Sequence, residues 1–289
     1  MKVVPFNVPH LSKEAFRSQV DEKPHFYDEL HAHPEIQLML ILKSEGTLIV
    51  GDYIGRFAAG DIYLIGSHLP HVFRNDKAYY QSSKRLKAHS ISLYFNKHYL
   101  GEHFWQLDEM KAVRKLVEKS GRGLKIYGRT KDSIEKEIIK VSTLHGIDKI
   151  ISFFEILKRL VSTKELKSLS VSNAYESCSE SEGKRMNDIL RFTFKESHRK
   201  IYISQVADIA HLSNEAFCRY FKTRTGKTYT NFLNEVRVSS ACKLLINKDL
   251  SIQDVCFQVG FNNLSNFNRV FKRVIGKTPS RYLTNVYIP

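Results

Sequence analysis

With 289 residues, 42% of them hydrophobic, the chain exceeds what one core usually supports and has apolar content for two domains, which excludes disordered and fibrous classes. The net charge of +15 suits a polyanionic partner and is unevenly spread: residues 184–289 carry 18 basic and 7 acidic side chains, residues 1–183 carry 27 and 23. Cys178, Cys218, Cys242 and Cys256 follow no metal-ligand spacing, the start lacks a signal-peptide pattern and no run reaches the roughly 18 apolar residues of a membrane span, so reduced thiols in a cytoplasm away from the membrane are expected.

The first elements read as short strands. Apolar segments Ile36 to Leu42, Leu48 to Val50, Ile62 to Ile65 and Ile91 to Phe95 are punctuated by Gly46, Gly51, Gly55, Gly60 and Gly66, a cadence that predicts a small antiparallel barrel or jelly roll. From Phe104 the period changes to three or four through Leu107, Met110, Val113, Leu116 and Val117. Ile134, Ile138, Val141, Leu144, Ile151, Phe154 and Leu157 repeat it within 133–161, so helices follow the barrel. Their apolar faces are longer than a barrel needs for cover, which leaves two uses open: packing on their own barrel and pairing between two protomers. Lys164 to Glu182 is rich in Ser, Lys and Glu and reads as a linker. The expected division is 1–163, 164–183 and 184–289.

Beyond the linker the chain nearly repeats itself. Val206, Ala207, Ala210 and Leu212 recur as Val255, Cys256, Val259 and Phe261. Phe217, Arg219, Phe221, Lys222, Gly226, Lys227, Thr228 and Leu233 recur as Phe267, Arg269, Phe271, Lys272, Gly276, Lys277, Thr278 and Leu283. Each copy predicts a short helix with small inner residues, a tight turn, and a second helix anchored by two Phe four apart. Small residues let two helices cross closely, as a helix-turn-helix requires. Ser204 and Ser251 are placed to cap the first helices, the latter with Asp254 as a capping box, and Ser213 and Asn263 to cap the second ones. With the Phe pairs inward, Cys218, Arg219, Asn268 and Arg269 face outward. A plain helical bundle with a solvated basic face is the bland alternative, which two copies make hard to sustain.

The segment Arg237 to Leu245 (Arg-x-x-x-Ala-x-x-Leu-Leu) and the run NNLSNFNRVFKRVIGKTPSRY from Asn262 to Tyr282 resemble the AraC/XylS family of regulators over about a hundred residues. The resemblance implies an α+β multidomain chain whose C-terminal all-α domain carries two helix-turn-helix units, with recognition helices entering successive major grooves of double-stranded DNA. Carried over by position, Glu215, Cys218 and Arg219 are base-reading candidates in the first recognition helix, and Ser265, Asn266 and Arg269 in the second. Arg suits guanine and Asn adenine, because each can bond two edge atoms at once. Asn214, Lys222, Asn263 and Lys272 are better placed for phosphates, which fix register without reading sequence. Leu283 departs from the family, which often has Arg there.

Nearer the start, His31-x-His33-x-x-x-Gln37, Gly46, Gly60-Asp61 and Pro70-His71 resemble the two motifs of cupin barrels as they occur in AraC-type sensor domains. On one strand, residues 31, 33, 35 and 37 share a face, so His31, His33, Glu35 and Gln37 are expected to point into the barrel, with Pro34 the place for a bulge and His71 approaching from a neighbouring strand. Metallo-cupins use three His and a carboxylate. Here Gln37 stands where the carboxylate would, so the expectation is no metal or other cofactor, no enzymatic activity, and a small polar effector, a sugar among the candidates, held by these five residues. The resemblance also implies a homodimer and, for an activator, contact with RNA polymerase. A cupin enzyme with a DNA-binding tail and an architectural protein without an effector are the competing classes.

Overall fold

Among the described residues the first part of the chain carries the strands β1 (Val4–Pro5), β2 (Arg17–Lys23), β3 (His31–Ala32), β4 (Ile36–Lys43), β5 (Gly46–Val50), β6 (Tyr53–Phe57), β7 (Ile62–Ile65), β8 (His71–Asn75) and β9 (Ala88–Phe95), most of them marked by apolar residues. There follow α1 (Glu102–Gln106), α2 (Lys111–Ser120), β10 (Leu124–Ile126), α3 (Gly128–Val141), α4 (Gly146–Ser162) and β11 (Leu166–Ser168). The computed structural model describes residues 4–5, 14–81, 86–96, 100–170, 180–246 and 250–287, and the chain separates into two units, Met1–Gly183 and Lys184–Pro289. Cys178 and the middle of the expected linker lie outside the described residues.

In the first unit the strands form two sheets, ordered β1-β3-β8-β5-β6 and β11-β10-β7-β4-β9-β2, antiparallel apart from the β1–β3 pair. Period-two alternation assigns their faces. Ile36, Leu38 and Leu40 of β4 and Ile91, Leu93 and Phe95 of β9 pack with Val113 and Leu116 of α2, Ile134 and Ile138 of α3, and Phe153, Ile156, Leu157 and Leu160 of α4. Met39, Ile41, Tyr63 and Ile65, on the opposite face, meet Leu48, Val50, Phe57 and Phe73 of the other sheet. The long apolar helix faces are therefore spent mainly on their own sheet, leaving Ile139, Ile147 and Ile151 exposed.

The helical period within 133–161 is carried by two helices: the chain breaks after Val141 and restarts at Gly146, whose φ of +57° a side-chain-bearing residue rarely adopts. Two expectations need correction. The linker does not begin at 164, because Leu166–Ser168 pairs antiparallel with β10 and Ser170 is buried, donating to Asp52 Oδ1. The polar composition misled there because β11 is an edge strand. Nor do His31, His33, Glu35 and Gln37 share a strand: β3 ends at Ala32 and β4 starts at Ile36 in the other sheet. Pro34 sits in the bend between them, where a residue without an N–H costs the ladder nothing.

The second unit is helical: α5 (Glu180–Glu196), α6 (Ile203–Ile209), α7 (Asn214–Thr225), α8 (Tyr229–Leu244), α9 (Ile252–Gln258), α10 (Leu264–Ile275) and α11 (Pro279–Tyr287). Ser213, Thr228, Ser251 and Asn263 each cap the following helix by accepting a backbone N–H, and α7 and α10 both end at a left-handed glycine, Gly226 and Gly276. Ser204 is not a cap: α6 starts at Ile203, and Gln205 Oε1 accepts from the Tyr202 N–H at 3.1 Å, so Ser204 lies within the first turn. Phe217 and Phe221 pack against Tyr229, and Phe267 and Phe271 pack with Val255 and Cys256 of α9 and with Val259 just after it.

Candidate functional site

The pairs α6–α7 and α9–α10 expose corresponding faces of their second helices. With Phe217 and Phe221 fully buried, Glu215, Cys218, Arg219 and Lys222 stand exposed on α7, and Asn214 opens its first turn. With Phe267 and Phe271 buried, Ser265, Asn266, Arg269 and Lys272 stand exposed on α10. Asn263 precedes α10, where its Oδ1 accepts from the Asn266 N–H at 3.0 Å, so half of the amide expected to meet a phosphate is already engaged. Positive side chains on these exposed faces match the demands of a phosphate backbone. Sequence reasoning gave Arg237 no role. It is half-buried on α8, and its Nε and Nη2 donate to the carbonyls of Ser197 and Arg199 at 2.8 and 2.7 Å, fastening α8 to the turn after α5.

In the first unit, polar residues gather on the inner faces. Even-numbered Ser90, Ser92 and Tyr94 of β9 turn away from the helices, alongside Gln37 and Met39 of β4, and with Gln19, Asp21 and Lys23 of β2 they line a cavity of about 110 Å³. His31 and His71, directly paired across β3 and β8, enter it from the other sheet, with Tyr27 and Phe73. Of the five residues expected to line one pocket, three do so: His31, Gln37 and His71. His33 and Glu35 do not line it: the His33 ring lies edge-on to His71 at 5.1 Å, and Glu35 Oε2 lies 3.6 Å from His33 Nδ1. The bend at Pro34 is the reason. Gln19, Asp21 and Lys23 escaped sequence reasoning because β2, RSQVDEK, has no apolar alternation to mark it as a strand.

Gln37 is the hub of the polar half. Its Nε2 donates to Ser92 Oγ at 3.0 Å and to Tyr94 Oη at 3.1 Å, while Oε1 lies 3.1 Å from His71 Nε2. Burial pushes the His31 imidazole down to about 3, lowers that of His33 against the opposing pull of Glu35, and lowers that of His71 well below the usual range. All three rings are therefore neutral near pH 7. Each directs Nδ1 at a backbone carbonyl, of Glu29, Glu35 and Leu69 respectively, at 2.8, 3.0 and 2.8 Å. In His31 and His33 a neutral ring whose Nδ1–H is so committed carries its lone pair on Nε2, whereas His71 Nε2 faces the Gln37 Oε1 acceptor and is the nitrogen placed to donate to it. One ring nitrogen from each of His31, His33 and His71 lies within 4.8 Å of the other two, so the cluster has the donors to hold a divalent ion.

A family model described as a helix-turn-helix domain matches residues 206–285. The chain is 31% identical over 106 residues to a probable transcription factor of Proteus vulgaris, PqrA, covering 87% of that protein. It is 24% identical over 290 residues to the HTH-type transcriptional regulator YdeC of Bacillus subtilis (strain 168), covering 94% of this chain and 91% of that one. The Msm operon regulatory protein of Streptococcus mutans is 22% identical over 242 residues, with 84% of this chain and 81% of that one covered. Among solved structures, the DNA-binding domain of AdpA in complex with a target DNA is 26% identical, with a TM-score of 0.32 over 34% of this chain and 87% of that one. The chain is a DNA-binding transcription regulator. It belongs to the AraC/XylS family. Among the described residues no helix is long and apolar enough to cross a membrane.

Proposed function

We propose that the chain is an effector-controlled regulator in which the first unit, a cupin-like jelly-roll barrel, binds a small polar molecule and the second reads double-stranded DNA through two helix-turn-helix units. In this reading α7 and α10 are the recognition helices. Glu215, Cys218, Arg219, Ser265, Asn266 and Arg269 face base edges, and Asn214, Lys222, Asn263 and Lys272 face phosphates. The protein works in the cytoplasm as a homodimer, contacting RNA polymerase when it activates.

The observation that carries the sensor half is the Gln37 amide, bonded to Ser92 and Tyr94 beside a cavity walled by His31 and His71. A neutral amide among hydroxyls and neutral imidazoles both donates and accepts, which suits a hydroxyl-bearing ligand. A cavity of about 150 Å³ takes one benzene ring, so 110 Å³ matches a ligand of similar size or less. An effector alters transcription only through unequal affinity for two arrangements of the protein. The test is a Tm screen of the full chain against small neutral polyols and sugars. One class should raise Tm and alter promoter occupancy, and Gln37→Leu should abolish both effects; a ligand that bound Gln37→Leu and His71→Leu as tightly as the natural chain would refute the pocket.

The three convergent histidines favour a second reading, in which the same cluster holds iron, zinc or manganese. Their Nδ1–H···O=C bonds are the arrangement that orients metal-binding imidazoles, while Gln37 is a poor fourth ligand. Metal analysis of the purified chain separates the two readings. One tightly held ion per chain, lost on His33→Ala, establishes the second; its absence from protein purified without chelator sets the second aside and leaves the first to the Tm screen.

A further inference from the structure

Asn266 and Arg269 lie three residues apart on α10, both exposed, and Arg269 Nη2 donates to Asn266 Oδ1 at 2.8 Å. The backbone of Asn266 is itself fixed by the cap, since its N–H donates to Asn263 Oδ1. An asparagine reads adenine by using both ends of its amide at once, Oδ1 accepting from N6 and Nδ2 donating to N7. Here one lone pair of Oδ1 is taken by the guanidinium, which ties the amide to Arg269 and turns it from a free two-ended fit to one adenine. Arg has five N–H donors in a rigid fork, so giving one to Asn266 leaves enough to reach O6 and N7 of a guanine together.

We propose that Asn266 is a positioning residue, which aims Arg269 at a guanine and does not itself read adenine. This inference rests on the reading of α10 as a recognition helix. The repeat supplies the contrast. At the spacing that relates Phe267 to Phe217, the counterpart of Asn266 on α7 is Ala216, which offers no side-chain acceptor. Among the described residues Arg219 makes no side-chain hydrogen bond or ion pair. Pre-orientation is thus confined to the second copy, whose arginine loses less freedom on docking than Arg219 does. The α10 helix should discriminate more sharply at its guanine than α7 does.

Selection from randomised duplexes by the full chain tests this, comparing the natural protein with Arg269→Ala, Asn266→Ala and Asn266→Asp. Arg269→Ala should erase a guanine preference at one position. Asn266→Ala should weaken discrimination at that same position, by about fivefold for one lost hydrogen bond. Asn266→Asp keeps the acceptor and loses the donor, so it should retain the guanine preference while its added charge weakens all duplexes alike. If Asn266→Ala and Asn266→Asp instead both relaxed an adenine preference at a neighbouring position, with the guanine untouched, Asn266 would be a reader and the proposal would fall. If Arg269→Ala altered no position, the recognition-helix reading itself would fall, a result distinct from that one.

Discussion

Replacing Arg237 by Met should unfasten the second unit without touching either candidate reading helix. The substitution keeps an apolar stem of similar length but removes the donors to the Ser197 and Arg199 carbonyls and the guanidinium 5.6 Å from the Phe261 ring centre. Hydrogen bonds from a charged donor contribute about 1.5 to 3 kcal/mol each and the ring contact about 0.5 to 1 kcal/mol. Ser197 is buried, so water cannot readily replace the lost donor there, while the half-buried guanidinium itself gives up hydration to make these bonds, so the expected destabilisation lies at the low end of the roughly 3.5 to 7 kcal/mol sum, about 4 kcal/mol. Trp105, the only tryptophan, lies in the first unit, so its fluorescence reports that unit while far-UV circular dichroism follows the helices of both. In a urea titration of the full chain, Arg237→Met should bring a helical transition to lower urea and leave the Trp105 transition in place. Arg237→Lys should resemble Arg237→Met, because a point-like ammonium cannot serve two carbonyls with the fork's geometry. DNA affinity should fall with sequence preference unchanged. A variant within about 1 kcal/mol of the natural chain, or a shifted Trp105 transition, would refute this account.

At the reading helices, Arg219→Ala and Arg269→Ala should each cost about 1 to 3 kcal/mol in a specific complex and relax preference at separate positions. Lys222→Ala and Lys272→Ala should instead weaken all duplexes alike and flatten the fall of affinity with salt. Identical behaviour of the two classes in salt-titrated binding assays would dissolve the division into readers and anchors. On the first unit, sedimentation of the full chain at tens of micromolar should show a dimer that Ile147→Lys with Ile151→Lys disrupts, since those side chains are 66% and 55% exposed. A natural chain that sediments as a strict monomer would leave pairing to the DNA.

In the second unit the sequence by itself determined the four helices of the repeat. A repeated spacing of small residues and paired phenylalanines places α6, α7, α9 and α10, and side chains three or four apart on a helix share a face whatever the neighbours do. Caps followed the same local logic at Ser213, Ser251 and Asn263, and failed at Ser204, where Tyr202 and Gln205 close the turn without it. The inner cavity was decided by tertiary structure. His31 and Gln37 are close in sequence but lie in different sheets, because the bend at Pro34 carries the chain from one to the other. His33 and Glu35 are left out of the cavity lining, and β2 supplies Gln19, Asp21 and Lys23 although nothing in its composition announces a strand. A strand's partners come from distant parts of the chain, and an edge strand needs no apolar signature. Local periodicity therefore reveals which face a side chain takes, and only the assembled sheets reveal what that face meets.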